Sequence, residues 1–375
     1  MLSGGQFPKQ SLVKTNAGGG SESNVPVEDA ATVFDNETLS TIVRFHKRER
    51  LGLLEEALFS LSLQSWHDHE TVIVIQNGDD EIVRDIIEIV NRQPWPADPR
   101  YKILPVDIPP RVDGRSTLLT RGIEQAAGRY LAFLDDDDLV YQHGYTTLVQ
   151  QLKESGCAIA VGGCRMAKIQ NIAQSWYVQT KETPFAWGRT RYDLLRDNFI
   201  PIHSFVIDRS RVDPGDLYFD DTLTLLEDYD FLLRLCAKYE FDFSKLETPV
   251  CEYRIHGLNS IPYATDAAQE ARDSHLRAQQ LINERKKRLQ CTLTVSEVVE
   301  LLQKVIDREE QLHQRIAESE YLQWKLAVTE EEKKKRFLLR LVYRIYNLFG
   351  RFPRLERFLS NLTHGIWQRY RKVKG

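Results

Sequence analysis

From Leu39 onward, short β-branched runs alternate with segments whose apolar residues recur every three or four positions. That alternation is how βαβ units around a parallel sheet read in a sequence. Residues 41–43 predict a first strand, and Leu53, Leu54, Ala57, Leu58 and Leu61 then share one face of a helix. Residues 71–75 predict a second strand closed by the turn dipeptide Asn77-Gly78, followed by a helix carrying Ile82, Val83, Ile86, Ile87 and Val90. Residues 101–106 form a third strand. A loop with Pro109, Pro110 and Gly114 leads to a helix over 116–127, and residues 130–134 form a fourth, buried strand. That strand runs straight into Asp135-Asp136-Asp137-Asp138.

Beyond this point the alternation is less regular. Residues 158–162, 203–207 and 250–253 read as strands and 225–238 as a helix. Residues 265–336 read as long, highly charged helices in which Val298, Leu302, Val305, Leu312 and Ile316 fall at spacings of three, four and seven. Glu309 and Ser319 interrupt the seam, so a short helical hairpin or weak coiled coil is expected. At the other end, residues 1–36 carry Gly4-Gly5 and Gly18-Gly19-Gly20 with few large apolar groups, too little to offset the entropy of ordering. The expected organisation is a flexible leader over 1–36, an α/β catalytic-size domain over 37–262, a helical hairpin or weak coiled coil over 263–332, and a distinct segment over 333–375.

The last segment stands out by charge. The chain of 375 residues carries 50 Lys and Arg against 54 Asp and Glu, a net −4. From Lys333 to the end there are thirteen cationic residues and Glu356 alone, so this stretch is +12 and the remainder −16. Phe337, Leu338, Leu341, Val342, Ile345 and Phe349 occupy one arc of a helix edged by Arg336, Arg340 and Arg344, and after Pro353 a second basic amphipathic helix is expected over 355–371. This pattern fits an in-plane helix on an anionic membrane surface, while the plainer alternative packs the apolar arc on the hairpin. Charge alone would admit nucleic acid, but no base-reading module accompanies it, which disfavours that partner. Five cysteines without a CxxC pair argue against a disulfide framework or a zinc site and favour a reducing compartment. With no apolar run of membrane-spanning length and no signal-peptide pattern, the expected location is cytoplasmic, or the cytoplasmic face of a membrane.

Four consecutive carboxylates at the carboxyl end of an apolar strand lie where open α/β sheets place their ligands. Crowded like charges raise one another's pKa, a cost relieved by a hard divalent cation such as Mg²⁺ or Mn²⁺. The plainer reading is a solvated acidic turn or a helix cap. Glu227-Asp228 at the start of the helix bearing Phe231, Leu232 and Leu235 is either a second cluster of functional carboxylates or a dipole-favoured first turn. His256, after the strand-like 250–253, either ligates metal or satisfies a loop carbonyl. Arg115 can pair with phosphate or stand as an ordinary surface arginine.

Residues 40–45, 54–64, 114–124 and 128–138, with Leu226-Glu227-Asp228-Tyr229-Asp230 and Tyr253-Arg254-Ile255-His256-Gly257, resemble a family 2 glycosyltransferase of the GT-A fold. The resemblance covers roughly residues 39–262. It implies a Rossmann-like, mostly parallel central sheet flanked by helices, followed here by an α-helical C-terminal extension. It also implies transfer of a sugar from a nucleotide diphosphate to an acceptor hydroxyl with inversion at the anomeric carbon, using a divalent cation, Mn²⁺ or Mg²⁺. The acidic block resembles the family's DXD motif, which implies Asp137 as a metal ligand, Asp135 on the metal or the nucleotide, and Asp136 beside the nucleotide. Asp228 falls at the position of the catalytic base, with Glu227 next to it orienting or binding acceptor. His256 resembles a histidine that contacts the metal or diphosphate.

Two positions depart from the family pattern. Arg44-Phe45-His46-Lys47 replaces Pro-Thr-Tyr-Asn after the first strand, and Gln76-Asn77 replaces an acidic pair after the second. Arg44, Gln76, Asn77 and Arg115 are therefore expected on the nucleotide side of the site, where an amide can still hydrogen-bond a base edge. The expected substrates are a nucleotide sugar, with a UDP-sugar as default, and a saccharide or glycolipid acceptor in cell-surface polysaccharide assembly. Two rival readings share these residues: a catalytically silent GT-A scaffold, and a nucleotidyltransferase that would release pyrophosphate.

Overall fold

The computed structural model describes residues 37–110, 112–172, 175–184, 188–256 and 267–349. The expected leader, the loop after His256 and the basic stretch beyond Phe349, including the second amphipathic helix, lie outside the described residues.

The first half is built as its periodicity predicts. Strand β1 (Leu39–Phe45) leads through a 3₁₀ turn (Arg48–Arg50) into α1 (Leu51–Ser62), β2 (His69–Gln76), α2 (Asp80–Arg92), β3 (Arg100–Val106), α3 (Arg115–Gln125) and β4 (Tyr130–Asp135). The four strands run parallel in the order β3-β2-β1-β4. Successive side chains on a strand point to opposite faces. Ile42, Val72, Val74, Leu131 and Phe133 accordingly pack beneath α3, whereas Val43, Ile73, Ile75, Ala132 and Leu134 pack beneath α1 and α2. At Gly122 a Cβ would strike the Ile42 side chain, so glycine is what lets α3 lie directly on β1.

The second half mixes directions. After β5 (Leu139–Val140) and α4 (Gly144–Ser155) come β6 (Ile159–Ile172), β7 (Ser175–Pro184), α5 (Arg191–Arg196), β8 (Phe205–Asp208), α6 (Glu227–Lys238) and β9 (Phe241–Ile255). The sheet continues β4-β8-β6-β9-β5, with β8 antiparallel to β4 and β6, and β6 parallel to β9. The expected strand over 203–207 begins only at Phe205, which leaves His203 in a turn, and α6 begins at Glu227 because Leu226 adopts a left-handed φ of 61°.

The chain divides by contacts at Thr292/Leu293, thirty residues after the expected end of the catalytic body. Helix α7 (Ala267–Lys286) belongs to the first unit: Ala278 and Ile282 are buried in it, and Arg285 bonds Asp220 and the fully buried Asp230 of α6. Within that unit the helix packs on α6. In the second unit α8 (Val295–Phe349) runs unbroken for 55 residues. The expected boundary at 333 marks a change of charge and not of backbone, since Val295–Phe349 holds no glycine or proline to end a helix.

Candidate active site

The site lies where β1 and β4 end side by side. Strand order reverses there, with β2 on one side of β1 and β4 on the other, and open α/β sheets form their ligand crevice at such points. Arg44 and Asp135 are direct partners in the β1–β4 register. Arg44 donates from Nε and Nη2 to the two carboxylate oxygens of Asp135, at 2.5 and 2.9 Å, and from Nη1 to Glu227 at 2.9 Å. One planar guanidinium thus holds the acidic turn and the start of α6 together. Arg115 stands behind it, 3.8 Å from Glu227 and in a two-point pair with Asp113.

The rest of the acidic turn is held from below. Arg50, only 3% exposed, pairs with Asp136 at 2.6 Å and also with Asp137. His256 Nε2 lies 2.9 Å from Asp137 Oδ2. Asp138 turns inward, accepting from the Arg254 backbone N–H at 2.7 Å and lying 3.2 Å from His203 Nδ1. Burial, opposed by Arg50 and reinforced by Asp137 and Asp135, pushes the Asp136 carboxyl well up. Burial would also raise Asp135, but the charge and hydrogen bonds of Arg44 hold it below the usual carboxylate range. Oδ2 of Asp136 is buried without a hydrogen-bond partner, and Asp135, Asp137 and Asp138 each offer an oxygen within 4.8 Å of the others. Three hard donors beside an unsatisfied one suit a divalent cation.

A cavity of about 410 Å³ opens above this turn, lined by Arg44, Lys47, Arg50 and Arg115 facing Asp135, Asp136 and Asp137. His46 also lines it; burial and the charges of Arg50, Lys47 and Arg44 lower its pKa to about 4, so it is a neutral donor or acceptor near pH 7. Gln76 reaches the cavity from the end of β2. Asn77 does not: its side chain accepts from the Ile108 N–H at 2.7 Å and its φ of 51° turns the chain, so it shapes the loop instead of facing a ligand.

Asp228 follows Glu227 on the first turn of α6. Its Oδ2 accepts from Asn198 at 3.3 Å, and burial together with Glu227 raises its pKa to about 6. Leu226, the non-glycine residue in left-handed conformation just before this pair, is the kind of strained position that collects at functional sites.

Arg44, Arg115, Asp135, Glu227, Asp136, Asp137 and His256 are joined by these contacts, with Asp228 alongside. The sequence reading gave no site role to Arg50, His203 or Arg254, and named Asp138 only as part of the acidic run. Arg50 sits in the run His46-Lys47-Arg48-Glu49-Arg50, which looks like any solvated charge run; only its burial sets it apart.

Residues 40–211 match the family model described as Glycosyl transferase family 2. A curated relative, the GalNAc(5)-diNAcBac-PP-undecaprenol beta-1,3-glucosyltransferase of Campylobacter jejuni, is 28% identical over 141 residues, which span 37% of this chain and 41% of that protein. Among solved structures, S. aureus TarS 1-349 in complex with UDP is 17% identical with a TM-score of 0.41, over 58% of this chain and 60% of that one. The mannosyltransferase PcManGT from Pyrobaculum calidifontis, in complex with GDP-Man and Mn²⁺, is 15% identical with a TM-score of 0.45, over 68% and 66%. The strand order, the acidic turn closing β4 and the match over residues 40–211 agree in pointing to glycosyltransferase family 2, over somewhat less than half of the chain.

Proposed function

We propose that the chain catalyses metal-dependent, inverting transfer of a sugar from a nucleotide diphosphate to an acceptor hydroxyl. The observation that carries this reading is the single guanidinium of Arg44 joining Asp135 of the acidic turn to Glu227 beside Asp228. This contact supports the reading by bringing carboxylates that would hold a cation close to a candidate proton acceptor, as sugar transfer requires.

The four cationic residues of the cavity wall match the charge of a diphosphate. Asp135 and Asp137 would hold Mn²⁺ or Mg²⁺, with Asp138 and His256 adjoining; when bound, the cation neutralises charge developing on the leaving diphosphate. Asp228 takes the acceptor's proton: its pKa of about 6 leaves it ionised near pH 7 yet basic enough to accept. Glu227, fixed by Arg44 and Arg115, keeps a second negative charge beside Asp228 and orients the acceptor. One base suffices for a single displacement. Gln76 and the neutral His46 are placed to read the nucleoside, Asp136 lines the diphosphate end, and a UDP-sugar is the first donor to try.

The Campylobacter relative's name supports a lipid-linked saccharide as acceptor, in the assembly of a cell-surface polysaccharide or glycolipid. No helix among the described residues is long and apolar enough to cross a membrane. The exposed Phe337, Leu338, Leu339 and Leu341, among the cations that begin at Lys333, would instead bring the enzyme to an anionic surface on the cytoplasmic side. The deciding experiment is a screen of nucleotide sugars with Mn²⁺ against lipid-linked saccharide acceptors. Release of nucleoside diphosphate and an inverted linkage is the expected result; pyrophosphate release would mark a nucleotidyltransferase, and no turnover with any donor a scaffold.

A further inference from the structure

Beneath the acidic turn three side chains converge that sugar transfer does not use. Cys164 of β6 and Cys251 of β9 are direct partners across parallel strands, brought level by a register shift just before Cys164. A Cβ at the preceding Gly163 would strike the Leu246 carbonyl, so glycine there is what lets the two strands close. From the turn before β8, His203 points its Nε2 at Cys164 Sγ, 3.5 Å away. All three residues are at most 2% exposed, and their two sulfurs and one ring nitrogen lie within 4.8 Å of one another.

We infer that Cys164, Cys251 and His203 form a buried site for a thiophilic divalent cation, zinc in the first place, distinct from the carboxylate site above it. Two thiolates and an imidazole are the donor set that selects zinc over Mg²⁺ or Mn²⁺. With Zn–S near 2.3 Å and Zn–N near 2.0–2.1 Å, a tetrahedral site puts sulfur and nitrogen about 3.6 Å apart, which the Cys164–His203 separation matches. A second, independent feature points the same way. Zinc-bound histidines donate their other ring N–H to a carboxylate, which sets tautomer and orientation. Here His203 Nδ1 is buried 3.2 Å from Asp138 Oδ2, at ion-pair distance without an aligned hydrogen bond. A bound cation would draw the ring into place, and the fourth position falls to a water.

The sequence spacing hides this site. The ligands lie at 164, 203 and 251 with no CxxC element, and only the pairing of β6, β8 and β9 gathers them. Such a cation would clamp those strands directly under the acidic turn and, through His203, position Asp138. Sugar transfer could fail without touching this assignment, because the ligands belong to the sheet and not to the cavity.

The test is metal analysis of the full chain purified without chelator and refolded with Zn²⁺. About one zinc per chain is expected. The Cys164→Ser/Cys251→Ser double variant should lose it, while Asp137→Ala, which alters only the upper site, keeps it. Because the double variant risks misfolding, the unsubstituted chain loaded with Co²⁺ supplies a separate readout: a thiolate-to-cobalt charge-transfer band in the near ultraviolet and intense visible bands of a tetrahedral site. Absence of that band overturns the assignment. So does zinc retained in full by the double variant, or a Cys164–Cys251 disulfide found by mass spectrometry.

Discussion

Asp135 and Glu227, 92 residues apart in the chain, share the guanidinium of Arg44, which donates two hydrogen bonds to the first and one to the second. Arg44, near the end of β1, is thus the residue that joins the acidic turn to the start of α6. Its planar fork satisfies both acids at once, which an ammonium cannot do. Arg44→Lys should therefore keep the fold and lower transfer by about 10²-fold, a loss of orientation and not of charge. Arg44→Met should cost roughly 3–5 kcal/mol in urea unfolding, because two carboxylates lose their buried partner. Equal behaviour of the two variants in both measurements would contradict the bridging role.

Asp228 joins activity and stability with opposite signs. Its folded pKa of about 6 lies above the ordinary carboxyl value, so the stability it allows is present at low pH and is lost as pH rises through about 6. Asp228→Asn should accordingly stabilise the chain by about 3 kcal/mol at pH 8 and by nothing measurable at pH 3.5. The same substitution should lower kcat by roughly 10²–10⁴-fold, and in the unsubstituted enzyme kcat/KM should fall as pH drops below about 6. Thermal unfolding at the two pH values and a pH–rate profile check both halves.

Removal of the cation should abolish donor binding and leave the fold intact. With Mn²⁺ and a nucleotide sugar at a hundred times its Kd, the chain should gain about 2.7 kcal/mol of stability, and excess EDTA should cancel the gain. Asp137→Ala should show no Mn²⁺-dependent gain at all. Retained dependence in that variant would exclude Asp137 as a ligand.

Helix α7 should prove part of the catalytic body. A chain ending at Thr292 keeps Ile282 and Arg285 in their seats, whereas one ending at residue 262 leaves Asp230 buried beside Arg234 without Arg285 and uncovers apolar core. The shorter chain is expected to lose at least about 3 kcal/mol, seen as insoluble expression or early urea unfolding. A cooperative, equally stable 1–262 fragment would restore the earlier boundary.

The basic segment is tested by flotation with vesicles. Deleting residues 333–375 should release the chain from anionic vesicles but not alter its retention on neutral ones, since each cation near an anionic surface contributes about 1 kcal/mol. Unchanged binding to anionic vesicles would turn attention to α8 before residue 333, where Val298, Leu302 and Val305 are also exposed.

Strands β1 to β4, the helices between them and the acidic turn that ends β4 were legible in the sequence, because alternation and helical spacing are local and set which face of each element is apolar. The same local pattern carried the start of α6 and the charge of the C-terminal segment. Contacts between distant segments leave no period to read. That Arg50 is buried under Asp136 while its neighbours Arg48 and Glu49 are exposed, that Asn77 supports a loop instead of facing the cavity, that α7 docks on α6 and that Cys164, His203 and Cys251 meet were all decided by the tertiary structure. The physical reason is the pairing of strands in an order other than their order in the chain. It places residues some forty to two hundred positions apart within a hydrogen bond of each other, and sets by burial, not by residue type, which charges are held and which are merely solvated.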